Sequence, residues 1–336
     1  MSRRLFFIIA PLALLSLFFL SLVAGPVTTS VAEVYAAFTQ SEPQNYTQAV
    51  ILYQRLPRAL IALYVGAVMA CSGLVFQALL RNPLGSSSSL GINAGAVLFT
   101  VASAVLLNFG LALQGVSALA GGVSGFLSSR VIARLAGSRD ISPGLLLILA
   151  GSLISMLYLG IANAILLAHP DVRSEYLGWL SGTVNNAYID RLRSFWWFGL
   201  FSLALLFWLA RALTLMLLGN EKALSMGINT KRVSCLALAA AIVAASSGVA
   251  ICGPIGFVGL MVPHAVRPLV GQHFLLALPA CILLGAFVCL AATLGAQTLF
   301  QPYIVHTGVL LDLLGGMFFI WVIKTHYLST TLSKTR

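Results

Sequence analysis

One acidic residue lies inside a long apolar stretch near the end of the chain. Asp312 occurs in the run VLLDLLGG and is the one member of the eight acidic residues found within an apolar segment. Such a carboxylate marks a substrate site, a gate or a proton pathway, unless it is hydrated or hydrogen-bonded near a helix end. Ion-coupled carriers usually keep several ionisable groups in the membrane. A single carboxylate therefore argues against ion coupling, and a proton-coupled carrier that uses Asp312 remains the alternative.

Two stretches rich in glycine, proline and serine interrupt the apolar pattern. The first runs from Arg81 to Gly91 as RNPLGSSSSLG, and the second starts at Gly253 as GPIGFVG. Serine after a proline turn can cap the next helix, and glycines three or four residues apart allow backbones to approach closely. The same residues could instead line or gate a pathway. The set to which both interpretations apply comprises Ser72, Gly73, Asn82, Pro83, Gly91, Gly95, Gly253, Gly256 and Gly259.

Motifs that carry catalytic chemistry are missing from the sequence. It has no GxxxxGK[ST] phosphate loop, no HExxH zinc motif, no DxDxDG calcium loop and no GxSxG nucleophile elbow. The five cysteines form no CxxC pair, and the five histidines are spread singly. We therefore expect no catalytic residue, no metal site and no cofactor in this chain, and no ATP hydrolysis by it.

The elements that must position these residues are apolar helices. Of the 336 residues, 60% are hydrophobic and only 8% are charged, against roughly a quarter charged in soluble domains. This composition excludes a soluble globular protein and predicts an all-α polytopic membrane protein. The segments 90–107 and 256–270 are expected to be short, tilted or broken. Ten spans are predicted, at 5–25, 58–80, 90–107, 115–136, 143–168, 195–218, 233–252, 256–270, 274–298 and 307–324.

Charges between the spans predict an orientation. The net charge of +11 is distributed over short loops, so we expect membrane lipid and no nucleic acid as a partner. With an even number of spans, both termini lie on one side of the membrane. The positive-inside rule makes that side the cytoplasm. The rule applies because most of the 19 Lys and Arg residues fall there, all except Arg55, Arg58, Arg173, Arg191 and Arg193.

An internal repeat and one longer loop complete the predicted organisation of a single transmembrane domain, residues 1–336. The stretch 66–73 aligns with 241–248, and each leads to a proline-interrupted segment. Because the two spans would run in opposite directions, the halves would be inverted repeats at about 58–168 and 233–324; chance alignment of small residues is the other interpretation. The loop 218–232 has a helical pattern with a bend, which suits docking into a partner's groove.

These residues resemble a known family. Arg55-Leu-Pro-Arg58, the turn Arg81-Asn-Pro-Leu84 and the stretch GPIGFVGLMVPH that ends at His264 are similar to its motifs. The family comprises the permease subunits of ABC importers for ferric siderophores, haem and vitamin B12, known as FecCD-like. The resemblance covers nearly the whole chain. It implies the type II ABC importer permease fold, with ten helices per subunit, in the bacterial inner membrane.

The resemblance also implies a larger assembly. A second permease copy or a paralogue would complete the translocation path, two cytoplasmic ATPase subunits would bind ATP and Mg²⁺, and a periplasmic or lipid-anchored binding protein would dock outside. Carried over by position, Arg55 and Arg58 would meet acidic residues of that binding protein. The cargo would be a ferric siderophore or a related iron chelate, with haem or cobalamin as the alternative. The residues that couple to the ATPases would be Gly219, Glu221, Ala223 and Gly227.

The chain departs from the family pattern at several positions. The serine run at 86–89 replaces a more usual acidic-and-proline stretch, and His306 stands where a proline is common. Thr293 and Gln297 stand where the family often has Asp and Arg. Losing that Arg implies a less positive outer docking surface. Asp312 occupies a position that the family usually fills with a small residue.

Overall fold

The chain folds into apolar helices joined by short connections. A computed structural model describes residues 3–25, 27, 29–40, 42–137, 141–184, 189–300, 303 and 305–324, so the predicted domain extends beyond them at both ends. These residues form fourteen α-helices and no strand. The helices are α1 (Arg3–Val23), α2 (Val31–Thr39), α3 (Tyr46–Val50), α4 (Leu56–Leu80), α5 (Ile92–Val105), α6 (Leu111–Ala136), α7 (Pro143–Ala168), α8 (Pro170–Leu180), α9 (Ile189–Met216), α10 (Asn220–Ser225), α11 (Thr230–Cys252), α12 (Val258–Val270), α13 (Phe274–Thr298) and α14 (Thr307–Ile323).

Each of the ten predicted spans corresponds to a helix. Seven helical stretches are long and apolar enough to cross a membrane: α1, the continuous stretch Tyr46–Leu80, α6, α7, α9, α11 and α13. The other three, α5, α12 and α14, are shorter apolar helices. Two of these are the segments predicted to be short, and they have 14 residues in α5 and 13 in α12. The prediction of an all-α polytopic membrane protein is confirmed.

Three helices were not predicted from the apolar pattern. α2 begins with a capping box, in which the Ser30 hydroxyl accepts from the Glu33 backbone N–H at 3.2 Å and the Glu33 carboxylate accepts from the Ser30 N–H at 2.8 Å. α3 continues through a π-helical turn, Ile51–Arg55, directly into α4. α8 has Pro170 in its first turn, where a missing N–H costs nothing. These helices are short or only weakly apolar, so hydrophobicity alone does not reveal them.

The centre of the molecule is formed by α4 and α11. In the most apolar window of each, 83% and 72% of residues are buried, against 17% in α1 and 28% in α7. The Tyr64 hydroxyl of α4 lies 2.7 Å from the Ser247 hydroxyl of α11, which joins the two helices inside the core. α1 and α7 therefore present most of their surface outward.

The central helix of each half packs on helices of the other half. α4 packs on α12 and α13 of the second half, while α11 packs on α5 and α6 of the first half. Gly66 of α4 faces Gly285 of α13 so closely that a Cβ on either would overlap the other's backbone carbonyl. Inverted repeats would produce this reciprocal packing, and the repeat at 58–168 and 233–324 stays a prediction.

Candidate functional site

The two interruptions of the apolar pattern meet at one cavity of about 580 Å³. This volume lies within the roughly 300–1,000 Å³ of small-molecule sites. The described chain lines it with hydroxyl, amide and carboxylate groups among apolar side chains. The polar lining residues are Ser86, Ser88, Ser89, Asn93, Ser152, Ser155, Ser181 and Asp312, and the larger apolar ones are Met156, Leu159, Leu180, Phe257, Leu260 and Val309.

The first wall of the cavity is the turn between α4 and α5. α4 ends at Leu80 and is capped by Arg81, whose φ of 50° is left-handed. The Asn82 side-chain oxygen then accepts from the Leu84 N–H at 2.9 Å. Ser86 and Ser89 hold the turn, because each side-chain hydroxyl accepts a hydrogen bond from the other's backbone N–H, at 3.2 and 2.9 Å. The serine run is therefore partly structural. It also presents Ser88 to the cavity.

The second wall is the extended segment between α11 and α12. At Gly253, with a φ of 80°, a Cβ would overlap the Trp179 carbonyl of α8, so glycine is required there. Phe257 has a φ of 56°, which is unfavourable for a bulky residue and sets the start of α12. The Asn93 amide donates to the Ile255 carbonyl at 3.3 Å and to the Ser88 hydroxyl at 3.0 Å. Asn93 thus joins the two walls.

Asp312 belongs to α14 and lies against the second wall. Its carboxylate lies against the Gly256 backbone so closely that a Cβ on Gly256 would overlap the carboxylate oxygen. One turn further along α14, Gly315 lies against the Phe257 ring with the same lack of space. α14 therefore packs directly on the extended segment, and this packing places a carboxylate on the cavity surface.

The predicted pathway residues separate into three groups. Gly256 and Asp312 line the cavity described above. Asn82 and Pro83 line a second, smaller cavity of about 210 Å³, together with Arg81 and other residues. The remaining six do not line either cavity in the described part of the chain, and they lie at helix contacts and breaks: Ser72, Gly73, Gly91, Gly95, Gly253 and Gly259.

Close backbone contacts explain most of this last group. A Cβ on Gly73 of α4 would overlap the Gly259 carbonyl of α12, and a Cβ on Gly95 of α5 would overlap the Gly121 carbonyl of α6. Gly91, at the start of α5, has a φ of 79° and lies against Gly125 of α6. These contacts fix the helices that carry the cavity walls, so their contribution to a pathway stays a prediction.

The segment 218–232 contains the six-residue α10, a bend at Gly227 and then the first turn of α11. Within the segment, Ala223 is fully buried, whereas Leu224 and Met226 are 57% and 58% exposed. Gly219 and Gly227 have φ values of 115° and 80°, and a Cβ on either would meet no atom within 4 Å. Their role is therefore conformational. The segment presents an apolar tip, which suits a protein partner.

The two arginines predicted to dock a binding protein differ in their surroundings. The Arg55 side chain is buried, and its Nη1 donates to the carbonyls of Leu22 and Val23, each at 2.7 Å, and to the Thr29 hydroxyl at 2.9 Å. Its Nη2 donates to the Val27 carbonyl. Arg58 is half-buried. Docking stays a prediction for both residues, but the hydrogen bonds of Arg55 are already directed to its own chain.

Comparison with known proteins assigns the chain to a family. Residues 13–325 match the model of the FecCD transport family. The chain belongs to the FecCD transport family. It is 31% identical over 277 residues to the Fe(3+)-citrate import system permease protein YfmD of Bacillus subtilis (strain 168), and the aligned region covers 82% of each chain. It is 32% identical over 297 residues to the ferric enterobactin transport system permease protein FepG of Escherichia coli (strain K12), which covers 88% of each.

A solved structure agrees with this assignment. A structure described as an inward-facing conformation of a metal-chelate type ABC transporter superposes on 96% of this chain and all of its own, with a TM-score of 0.79 and 26% identity. The predicted resemblance and the predicted permease fold are confirmed. This FecCD chain is a transport permease and a multi-pass membrane protein.

Sequence reasoning missed a buried cation in this FecCD permease. Arg191, at the start of α9, donates from Nη2 to the Gln114 side-chain oxygen at 2.9 Å and from Nη1 to the Ala250 carbonyl at 3.3 Å. Its guanidinium carbon lies 5.6 Å from the centroid of the Trp179 ring. Arg191 therefore joins α6, α8, α9 and α11 immediately before the second cavity wall. The sequence offered one signal for this site: Arg191 is one of the few basic residues on the side predicted to be outside.

Two departures from the FecCD pattern have specific partners. The His306 ring Nδ1 lies 2.8 Å from the Thr183 hydroxyl, which joins the segment before α14 to the segment after α8. The buried Thr293 hydroxyl donates to the Cys289 carbonyl of its own helix at 2.8 Å. Thr293 thus satisfies its own polar group within α13.

Proposed function

We propose that this FecCD chain is the permease of an ATP-driven importer that moves a ferric siderophore or related iron chelate from the periplasm to the cytoplasm. The observation that carries the proposal is a cavity that contains serine, Asn93 and Asp312 side chains at the meeting point of the two broken segments. The relatives of the chain include permeases for ferric citrate and ferric enterobactin. Broken segments in transporters expose backbone and side-chain polar groups where a substrate binds. The cavity supplies such groups from both halves.

A second permease copy or a paralogue completes the path in this proposal. The cavity opens beside α7, whose outward side carries Leu149, Leu153 and Met156, 47%, 61% and 75% exposed. α14, on the other side of the cavity, exposes Leu313 and Met317, 55% and 58% exposed. Two apolar helix faces that flank the cavity suit a partner that covers the faces and encloses the cavity.

Two cytoplasmic ATPase subunits supply the energy, and they bind the ATP and Mg²⁺ for which this sequence has no motif. The apolar tip formed by Leu224 and Met226 docks into them. Glu221 is exposed beside that tip and offers a charged contact. Both termini are then cytoplasmic in the bacterial inner membrane, and a periplasmic or lipid-anchored binding protein approaches the opposite side near Arg58.

Reconstitution into proteoliposomes with the ATPase and the binding protein tests the proposal. Gly227→Ala places a side chain where φ is positive, which costs about 1–2 kcal/mol, whereas Gly227→Asn tolerates that conformation and serves as the matched control. We expect ATP-dependent chelate uptake to fall severalfold in Gly227→Ala and in Glu221→Gln, and to persist in Gly227→Asn. Unchanged uptake and unchanged chelate-stimulated hydrolysis in both Gly227→Ala and Glu221→Gln would overturn the coupling assignment.

The same vesicles separate ATP-driven import from proton-coupled transport. In the proposed mechanism uptake requires ATP and is insensitive to an uncoupler. Uptake that persists without ATP and collapses with an uncoupler would make this chain a secondary carrier that uses Asp312.

A further inference from the structure

The cavity has an unbalanced charge. Among its lining residues in the described chain, Asp312 carries a carboxylate and there is no lysine, arginine or histidine. The other polar groups of the lining are the side chains of serines and Asn93. In a cleft with apolar walls, a charge of one sign is focused rather than screened. The cavity therefore favours cations over anions.

The position of the carboxylate follows from the packing of α14. Because Gly256 has no side chain, α14 approaches the second wall closely enough for the Asp312 carboxylate to lie against the Gly256 backbone. This contact holds one side of the carboxylate, and the residue remains more than a third exposed and lines the cavity. Asp312 is therefore fixed in place and still accessible to a ligand.

We propose that Asp312 binds a cationic substituent, such as a protonated amine, on the transported chelate and makes this permease favour amine-bearing ferric chelates over neutral and anionic ones. The inference rests on the proposed function. The Ser88 hydroxyl, which accepts from the Asn93 amide, then donates to an uncharged polar group of the chelate, such as a hydroxamate or amide oxygen. Discrimination arises in the membrane path, in addition to any selection by the binding protein.

The experiment uses two chelates that differ in one charge. The first is a linear ferric trihydroxamate with a free terminal amine, and the second is the same compound with that amine acetylated. Labelled with different iron isotopes, both are supplied together to proteoliposomes that contain the complete importer. The measured quantity is the ratio of their ATP-dependent uptake rates. Because the binding protein is identical in every sample, a change in the ratio between variants reports the permease.

The variants remove or keep the charge. Asp312→Asn and Asp312→Ala should lower the ratio of amine to acetylated uptake about fivefold, equivalent to about 1 kcal/mol for a partly exposed ion pair. Asp312→Glu should keep most of the preference. Asp190→Asn is the matched control, because it makes the same chemical change at an exposed carboxylate paired with Arg193. Asp190→Asn should leave the uptake rates of both chelates unchanged. In the Asp312 variants the acetylated chelate, measured in the same vesicles, normalises the ratio for any change in folding or in overall transport rate.

Two results would overturn the inference and leave the proposed function intact. The ratio could be the same in wild type and in the Asn and Ala variants, which would remove any role of Asp312 in selection. Uptake of both chelates could instead fall equally, which would make Asp312 structural or a carrier of a free cation. Wild-type protein that transports neither of these chelates but takes up ferric citrate in an ATP-dependent manner would likewise overturn the inference alone. Wild-type protein that takes up no ferric chelate in an ATP-dependent manner would refute the proposed function itself.

Discussion

Replacing Arg55 tests whether this residue anchors the chain or docks a partner. Its guanidinium joins the end of α1 and the segment after it to the π-helical turn that precedes α4. Arg55→Met keeps most of the side-chain volume and removes every donor. Arg193→Met is the matched control, because the Arg193 side chain is 77% exposed and forms a 3.5 Å pair with Asp190.

The expected cost follows from the lost partners of Arg55. Hydrogen bonds from a charged donor are worth about 1.5–3 kcal/mol each, and a buried acceptor left without a partner costs about 1–3 kcal/mol. Leu22 is only 1% exposed, so water cannot replace the donor at its carbonyl. The carbonyls of Val23 and Val27 belong to half-buried residues and can be rehydrated in part. Removing a buried charge also recovers its desolvation penalty. We therefore expect a net loss of about 3 kcal/mol in the free energy of unfolding.

Reversible unfolding in mixed detergent and SDS micelles measures this loss directly. Arg193→Met should cost less than about 1 kcal/mol, and hydrogen exchange at residues 22–29 should rise in Arg55→Met alone. Affinity for the binding protein is measured on the same samples. If Arg55→Met is as stable as Arg193→Met but binds the binding protein more weakly, the anchoring argument is wrong and the docking role is correct.

Three further predictions concern packing and buried hydrogen bonds. Gly95→Val on α5 would overlap the backbone of α6, so we expect a loss of about 3 kcal/mol or more and little monodisperse protein in size-exclusion chromatography; Gly160→Ala, with no atom within 4 Å of the added Cβ, should be neutral or slightly stabilising. In a double-mutant cycle, Arg191→Met and Gln114→Leu should show a coupling energy of about 1.5–3 kcal/mol, and additive effects would contradict the hydrogen bond. Tyr64→Phe removes the 2.7 Å bond between α4 and α11 and should lower the unfolding free energy by about 1 kcal/mol.

The sequence was sufficient to predict the spans, because long apolar runs are the strongest signal that a chain carries. It also indicated where the helices break, since proline and closely spaced glycines at Asn82-Pro83 and Gly253-Pro254 leave few other conformations. Helices outside the apolar runs were missed. The capping box at Ser30 and Glu33 and the proline that begins α8 were local signals that could have predicted α2 and α8.

Contacts between distant parts of the chain could not be predicted from the sequence. The sequence alone does not indicate that the Arg55 guanidinium is directed to the end of α1, because exposed and buried arginines have the same local pattern. Nor does it indicate that Asp312 lies against Gly256, since that approach depends on how α14 packs on the extended segment. The positive φ of Phe257 is a further example, because local propensity disfavours it and only tertiary packing maintains it.

The exchange of central helices between the halves has a consequence for biogenesis. α4 is synthesised long before α12 and α13. It contains two polar residues that are buried in the folded protein, Ser72 and Gln77. Gln77 donates to the carbonyls of Gly259 and Leu260, which do not yet exist at that stage. Until α12 is inserted, the Gln77 amide lacks these two acceptors, so the final packing of α4 waits for the second half of the chain.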